Sequence, residues 1–177
     1  MKRKHLGAMI VVALAVLLAS VAATSKAATD RQAKTDTIVL YASGDVNVQS
    51  LETAVKVVKD ADQPNGGLAI DTWHMAKLGI PPDELKRIPP QYLTWVELSD
   101  GQFENMEDPI DEVVNHRHLP GEGEFDIPGY VEACQSAGYS GPWGVEVLSE
   151  ALRNLPIEEE FQRAYETTAA QFSAGVA

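Results

Sequence analysis

Strand-like and helix-like segments alternate four times along this 177-residue chain, and this alternation limits the folds open to it. Short apolar or β-branched runs at residues 37–41, 68–70, 92–98 and 141–148 predict strands. A helix-like segment follows each of them. Such alternation is typical of a parallel sheet whose strands are joined by crossover helices. The sequence therefore predicts an α/β fold with about four parallel strands.

Capping residues mark the predicted helices. Ser50 precedes an apolar pattern with helical spacing, and Asp126 precedes another that ends before Gly138. Pro81 and Pro82 open a shorter helix. Residues 99–125 are predicted as a long loop. A last amphipathic helix from about residue 157 places four side chains on one face, namely Phe161, Ala164, Tyr165 and Thr168.

Each of the last three predicted strands ends in an acidic residue, namely Asp71, Glu97 and Glu146. In parallel α/β folds, side chains at the carboxyl ends of strands converge on the functional site. With His74 three residues after Asp71, these acids predict an oxygen-rich constellation with one imidazole. Asp71 is also a good N-cap for a following helical turn, and on its position alone both interpretations stay open.

The charge pattern excludes one class of partner. The formal net charge is −12, so phosphate backbones are repelled and no nucleic-acid partner is expected. No glycine-rich nucleotide fingerprint follows any predicted strand. The single cysteine, Cys134, allows no intramolecular disulfide and falls in the apolar pattern of a helix, where a buried, inert thiol is expected.

The first 27 residues have the three-part pattern of a secretory signal peptide, with a basic start, an apolar run from Leu6 to Ala23 and small residues after it. Removing four basic residues and no acid with this segment changes the net charge from −12 to −16. Secretion or export to a periplasm is predicted, with an uncleaved membrane anchor as the alternative. Residues 28–36 are predicted as a linker, 37–172 as the domain and 173–177 as a tail.

Three motifs occur in order along the domain: "DTWH" at 71–74, "VELSDG" at 96–101, and the long segment at 117–149 that begins "RHLPGEGEFD" and ends "GPWGVEVLS". Together they resemble the C-terminal half of the sugar phosphate isomerases/epimerases with xylose-isomerase-like TIM barrels. The resemblance implies a half-barrel that corresponds to strands five to eight. A complete barrel needs about 250 residues and eight strands, so a half-barrel is expected to form a homo-oligomer or to pair with another half.

The resemblance also implies a divalent metal at the carboxyl ends of the strands, most often Mn²⁺, with Mg²⁺, Co²⁺ or Zn²⁺ as alternatives. The implied ligands are Asp71, Glu97 and Glu146; Glu146 is also the general base, and His74 and Arg117 contact a sugar or sugar phosphate. The family's strand-five glutamate aligns with Tyr41, so one ligand and one of two bases are missing. The implied activity is aldose–ketose isomerisation or epimerisation.

Two alternatives remain beside the isomerase. One is a non-catalytic exported protein that binds a sugar or completes a barrel with another chain. The other is a metal-dependent phosphoesterase, which the negative charge and the single imidazole beside the acids disfavour.

Overall fold

The structure, a computed structural model, describes residues 50–173. Four sequence predictions lie outside these residues: the signal segment at 1–27, the linker at 28–36, the strand at 37–41 with Tyr41, and the tail from 174 onwards.

Three strands and seven α-helices follow one another along the described residues. In chain order they are α1 (Leu51–Ala61), β1 (Leu68–Asp71), α2 (Thr72–Lys77), α3 (Pro82–Leu85), β2 (Leu93–Leu98), α4 (Pro109–Asn115), α5 (Ile127–Ser136), β3 (Trp143–Val145), α6 (Glu150–Arg153) and α7 (Ile157–Ser173). The predicted caps are confirmed: the Ser50 side chain accepts a hydrogen bond from the Thr53 N–H, and the Asp126 side chain accepts one from the Gly129 N–H.

The three strands form one parallel sheet in the order β1-β2-β3. This confirms the α/β class and the parallel pairing predicted from the alternation. The sheet does not close into a barrel: among the described residues, β1 and β3 each pair only with β2. The open sheet is the partial TIM barrel that the sequence predicted.

The two faces of the sheet have different surroundings. Val96 and Leu98 are fully buried against the helices, whereas Trp95 and Glu97, which alternate with them, point to the opposite face and are half-buried. The apolar core lies between the sheet and helices α1, α3 and α5; it includes Val58, Ile70, Leu85, Ile127 and Val131. The helices therefore cover one face, and the face that carries Glu97 corresponds to the interior of a barrel.

The predicted loop at 99–125 contains a helix that the sequence interpretation missed. Asp108 caps α4 by accepting hydrogen bonds from the N–H groups of Ile110 and Asp111, and Pro109 occupies the first turn. An Asp-Pro pair is a recognisable helix start, but it lies here within a run of acidic residues that resembled a solvated loop.

The strand predicted at 141–148 is shorter than expected and spans only Trp143–Val145. The N–H of Glu146 still donates to the Leu98 carbonyl at 3.2 Å, one residue beyond the strand. The chain then leaves the sheet, because the Leu148 carbonyl accepts from the N–H of Arg117 at 3.1 Å and Ser149 bridges to His116. Pairing with the loop thus replaces pairing within the sheet.

Helix α7 leaves an apolar groove beside β3. The four side chains predicted on one face of this helix all line the groove, yet Phe161 and Tyr165 are 69% and 72% exposed. Trp143, Val145 and Phe172 line it as well, and its volume is about 760 Å³. The amphipathic face is present, but the described residues cover it only in part.

Cys134 is fully buried in α5, and burial raises the pKa of its thiol to about 12, as expected for an inert core cysteine. Within residues 50–173, none of the helices combines the length and the apolar character needed to cross a membrane.

Candidate metal centre

Asp71 is the last residue of β1, and its side chain also caps the N-terminus of α2. Its Oδ1 atom accepts a hydrogen bond from the Trp73 N–H at 2.8 Å, which makes it the N-cap of α2. Its Oδ2 atom is oriented toward Arg117 Nη1, 2.9 Å away. Because this carboxylate is only 4% exposed, both interactions form away from bulk water. The two interpretations left open by the sequence, cap and site residue, are therefore compatible.

Arg117 is buried beneath the acidic side chains. Its Nη1 atom lies 2.9 Å from Asp71 Oδ2 and 3.1 Å from Glu146 Oε2, and its Nε donates to the Val113 carbonyl. The guanidinium also lies 5.0 Å from the centre of the Trp73 ring. At 3% exposure, Arg117 is the internal counter-ion of two carboxylates in this structure. Its sequence-predicted contact with substrate stays a prediction.

Glu97 lies beside Asp71 because the two residues pair in register between β1 and β2. Its Oε1 atom accepts a hydrogen bond from the Trp95 indole N–H at 2.8 Å. Its Oε2 atom is buried and has no hydrogen-bond partner among the described residues. A buried carboxylate oxygen without a hydrogen-bond partner is energetically unfavourable. The Glu97 carboxylate therefore lacks one polar interaction among the described residues.

Glu146 follows β3 and completes the cluster. One carboxylate oxygen from each of Asp71, Glu97 and Glu146 lies within 4.8 Å of the other two. Burial raises the pKa of Glu146; Arg117 opposes this shift, whereas the neighbouring carboxylates Asp71 and Glu97 add to it. The side chain is still 35% exposed, so solvent or a ligand can reach it.

His74 lies one helical turn into α2, with Nε2 3.6 Å from Asp71 Oδ2. The ring packs edge-on against Trp73. Burial lowers the pKa of His74, with Asp71 opposing and Arg117 adding to the shift, which favours the neutral ring. The structure thus brings all five sequence-predicted site residues together.

Two residues that the sequence interpretation did not assign to the site also lie there. Ser99 Oγ is 3.4 Å from both Asp71 Oδ1 and Arg117 Nη1, and the Thr72 hydroxyl bonds to the backbone of Ser99. Trp95 contacts Glu97 as described above. The alternation of β2 places Trp95 and Glu97 on one face and was the available signal for Trp95. No sequence pattern indicated that Ser99 would lie at the site.

Asp100 shapes the loop that follows β2. Its fully buried carboxylate accepts hydrogen bonds from the N–H groups of Gly101, Gly121 and Phe125, at 2.8, 2.9 and 3.0 Å. Its backbone also exchanges two hydrogen bonds with His118. The loop that carries Arg117 is therefore held against the end of β2.

The histidines that flank Arg117 do not join the cluster. His116 bonds to Asp111 at 3.1 Å, and the Nδ1 atom of His118 lies 3.2 Å from the Glu122 carbonyl. His116 is exposed and His118 is half-buried, and both side chains bond within the loop.

The donor set of the acidic cluster fits a divalent cation. Carboxylate oxygens are the ligands that Mg²⁺, Ca²⁺ and Mn²⁺ prefer, and three of them converge from the ends of three adjacent parallel strands. The unpartnered Oε2 atom of Glu97 supplies an oxygen that nothing else among the described residues uses. The arrangement can therefore hold a cation that replaces Arg117 as the counter-charge.

Comparison with known proteins identifies the family. The profile described as "Xylose isomerase-like TIM barrel" matches residues 23–170, which is most of the chain. The chain belongs to this family. The resemblance that the sequence motifs indicated is confirmed.

Relatives within the xylose isomerase-like family include two kinds of enzyme. The chain is 31% identical over 109 residues to a 3-dehydroshikimate dehydratase of Pseudomonas aeruginosa, covering 62% of this chain and 17% of that protein. It is 26% identical over 122 residues to an inosose isomerase of Bacillus subtilis, covering 68% of this chain and 42% of that protein. The chain thus spans less than half the length of either relative.

Solved structures of the family share the fold. The IOLI protein with a bound zinc atom superposes with a TM-score of 0.67 at 23% identity, over 80% of this chain and 50% of that one. A fusion of a xylose isomerase-like TIM barrel with 4-hydroxyphenylpyruvate dioxygenase gives a TM-score of 0.63 at 26% identity, over 75% of this chain and 20% of that one. The described residues therefore correspond to part of a TIM barrel.

Proposed function

We propose that this chain carries the metal-binding half of a sugar or sugar phosphate isomerase or epimerase that depends on a divalent metal. The observation that supports the proposal most directly is the cluster of Asp71, Glu97 and Glu146, with donor oxygens within 4.8 Å of one another. These three residues are the proposed metal ligands. Mn²⁺ is the proposed metal, and Mg²⁺, Co²⁺ and Zn²⁺ are alternatives with compatible ligand preferences.

The names of the relatives narrow the substrate class. Inosose and 3-dehydroshikimate are both cyclic ketones that carry hydroxyl groups, and each has a removable proton on a carbon next to the carbonyl. The bound metal would supply Lewis-acid polarisation of such a carbonyl and of the neighbouring hydroxyl. The step that we propose for this site is removal of that proton, which an isomerisation or epimerisation completes by returning a proton to the substrate.

Glu146 is the proposed base for this step. Its partial exposure gives it access to a ligand, and burial raises its pKa, which makes the carboxylate more basic. His74 and Arg117 are the proposed contacts of substrate oxygens. For Arg117 this role requires the guanidinium to leave the carboxylates of Asp71 and Glu146, which the metal then neutralises.

The first test is manganese binding by isothermal titration calorimetry on the full chain. We expect micromolar binding that Glu146→Gln weakens at least tenfold, whereas Glu150→Gln, a change at an exposed acid nearby, leaves it unchanged. The second test follows deuterium uptake from D₂O into an inosose with Mn²⁺ present. Absence of metal binding would remove the proposal, and metal binding without deuterium uptake would leave a metal-binding protein that is not this isomerase.

A second candidate function, a barrel-completing protein, is favoured by the open groove beside β3. The Phe161 and Tyr165 side chains are exposed there, and the outer edge of β3 pairs with no strand among the described residues. Because the chain spans 42% of the inosose isomerase and 50% of the IOLI protein, two copies supply about one barrel length. We propose a second copy of this chain as the occupant of the groove.

Light scattering coupled to size-exclusion chromatography tests this pairing. The wild type should elute as a dimer, and Phe161→Glu should give a monomer because a charge is placed in the groove. Ile110→Glu changes another exposed apolar side chain, on α4, and should stay dimeric. A monomeric wild type at 100 µM, or a dimer that Phe161→Glu leaves intact, would contradict the proposed pairing.

We also propose export with cleavage of the N-terminal segment, on the strength of its basic, apolar and small-residue pattern. N-terminal sequencing of the protein recovered from a bacterial periplasm or medium tests this. A mature start near residue 28 is expected, and an intact Met1 in the membrane fraction supports the anchor instead.

A further inference from the structure

Trp95 lies two residues before Glu97 on β2, so both side chains project from the same face of the sheet. The indole Nε1–H donates to Glu97 Oε1 at 2.8 Å. This is the only hydrogen bond that the Glu97 carboxylate receives from the described residues, because Oε2 has none. One indole thus engages one oxygen and leaves the other available.

The position of the indole depends on Gly144, which pairs with Glu97 in register on β3. A Cβ atom at residue 144 would lie 3.0 Å from Trp95 Cζ2 and 3.4 Å from Glu97 Cγ. Both distances are at or below ordinary van der Waals contact. The missing side chain therefore leaves space in which the Trp95 ring lies across the neighbouring strand, next to the glutamate stem.

The Glu97 side chain has freely rotating bonds, and an exposed glutamate samples several rotamers. Here one face is limited by Gly144 and the indole, and one oxygen is tied to the indole N–H. One carboxylate oxygen of Glu97 lies within 4.8 Å of donor oxygens from Asp71 and Glu146, and Oε2 is the oxygen that has no hydrogen-bond partner among the described residues. In a metal site, a hydrogen bond of this kind decides which oxygen is free to coordinate.

We propose that Trp95 is a positioning residue for Glu97: its indole N–H occupies Oε1 and Gly144 provides the space for the ring, so that Oε2 would be left available to the cation. The inference rests on the proposed metal-binding function. It adds the residue that orients the ligand. Trp95 itself touches neither metal nor substrate.

The experiment compares Mn²⁺ binding by the full-length wild type, Trp95→Phe and Tyr130→Phe, using calorimetry. Trp95→Phe keeps an aromatic ring but removes the N–H donor, and it should weaken binding about 10- to 100-fold. Tyr130→Phe is the control, because it also keeps a ring and removes a donor, the O–H that bonds to the Ile80 carbonyl in the core, and it should leave the affinity within about twofold. Gly144→Ala, which displaces the ring, should weaken binding to a smaller degree.

A spectroscopic measurement separates positioning from a general structural effect. In a ¹H–¹⁵N spectrum, the three tryptophan indoles give three N–H signals, and the signal lost in Trp95→Phe belongs to Trp95. That signal should shift on titration with diamagnetic Zn²⁺, because the acceptor of its hydrogen bond becomes part of a metal ligand. The shift should disappear in Glu97→Gln, while the Trp143 signal stays in place throughout.

The outcomes separate the two proposals. If the wild type and Trp95→Phe bind Mn²⁺ equally well, or if the Trp95 signal does not respond to Zn²⁺, the positioning role is wrong and the metal site stands. If the wild type binds no metal, both proposals are wrong. If Trp95→Phe does not fold, the Mn²⁺ affinity of Gly144→Ala tests the positioning role instead. An affinity equal to that of the wild type would show that the positioning role is wrong.

Discussion

The guanidinium of Arg117 lies 2.9 Å from the carboxylate of Asp71, although 46 residues separate them in sequence, and both side chains are less than 5% exposed. In the absence of another cation, the positive charge of Arg117 offsets the free-energy cost of burying the Asp71 carboxylate. A cation bound to the acidic cluster would compete with Arg117 for the same carboxylates.

Replacing Arg117 by Met should therefore have two opposite effects. The metal-free protein should lose about 3–5 kcal/mol of unfolding free energy, because a buried carboxylate is left without its partner. Mn²⁺ affinity should rise, because the competing cation is gone. Urea unfolding and calorimetry measure the two effects. Arg163→Met, which removes a half-exposed ion pair with Glu122, is the control and should cost less than about 1 kcal/mol.

Removing the Asp100 carboxylate should loosen the loop that carries Arg117. Asp100→Ala leaves three N–H groups without their charged acceptor, so we expect a loss of at least about 3 kcal/mol in unfolding free energy. Hydrogen exchange should accelerate at the amides of Gly121 and Phe125. Asp83→Ala, a change at a fully exposed acid, should leave both observables unchanged. Slow exchange retained at Phe125 would contradict this account of the loop.

The ion pair between Lys77 and Glu112 fixes α4 to α2. Both side chains are less than 10% exposed, and Lys77 Nζ also donates to the Glu104 carbonyl at 2.9 Å. Lys77→Met should destabilise the protein by about 3–5 kcal/mol, because the Glu112 charge stays buried without a partner. The double variant Lys77→Met with Glu112→Leu should recover much of that loss. A double-mutant cycle by urea unfolding measures the coupling, and strictly additive effects would show that the pair contributes nothing.

Alkaline pH should destabilise the fold through three buried groups. Burial raises the pKa of Cys134, Tyr130 and Tyr139, each to about 12, against unfolded values of about 8.5 for Cys and 10 for Tyr. A raised pKa means that the folded state holds the proton more tightly, so this stability is fully present below pH 8 and is lost as pH rises toward 12.

The urea midpoint between pH 7 and 11 tests this pH dependence. Cys134→Ala should move the onset of the decline from near pH 8.5 toward pH 10, where only the tyrosines still titrate. The variant also leaves a small cavity, so the shape of the pH profile is compared rather than the absolute midpoint. A wild-type midpoint that stays constant up to pH 11 would contradict the prediction.

The sequence predicted the parts of this structure that depend on local patterns. Strand ends converge because parallel strands share an edge, so Asp71, Glu97 and Glu146 were expected together, and they lie together. Ser50 and Asp126 were recognised as caps by residue type and position.

The remaining features depend on contacts between distant segments. Nothing in the sequence around Arg117 indicates that it would bury its charge against Asp71, because this pairing depends on how the loop folds back over the strand ends. The early end of β3 has a similar cause, since the Leu148 carbonyl bonds to the Arg117 N–H instead of a neighbouring strand. Helix α4 was not predicted for a local reason: its N-cap, Asp108, lies within a run of acidic residues that resembles a solvated loop.

The double use of the Asp71 carboxylate gives the site a reporter within the backbone. One oxygen accepts the hydrogen bond from the Trp73 N–H that caps α2, and the other lies 2.9 Å from Arg117, in a carboxylate that we propose as a metal ligand. A cation bound to this carboxylate would draw electron density away from the first hydrogen bond, so the signal of the Trp73 amide proton would respond to occupancy without contacting the cation. A change at Asp71 consequently alters folding and ligand response at once, whereas Glu97 and Glu146, which cap no helix, allow the two to be studied apart.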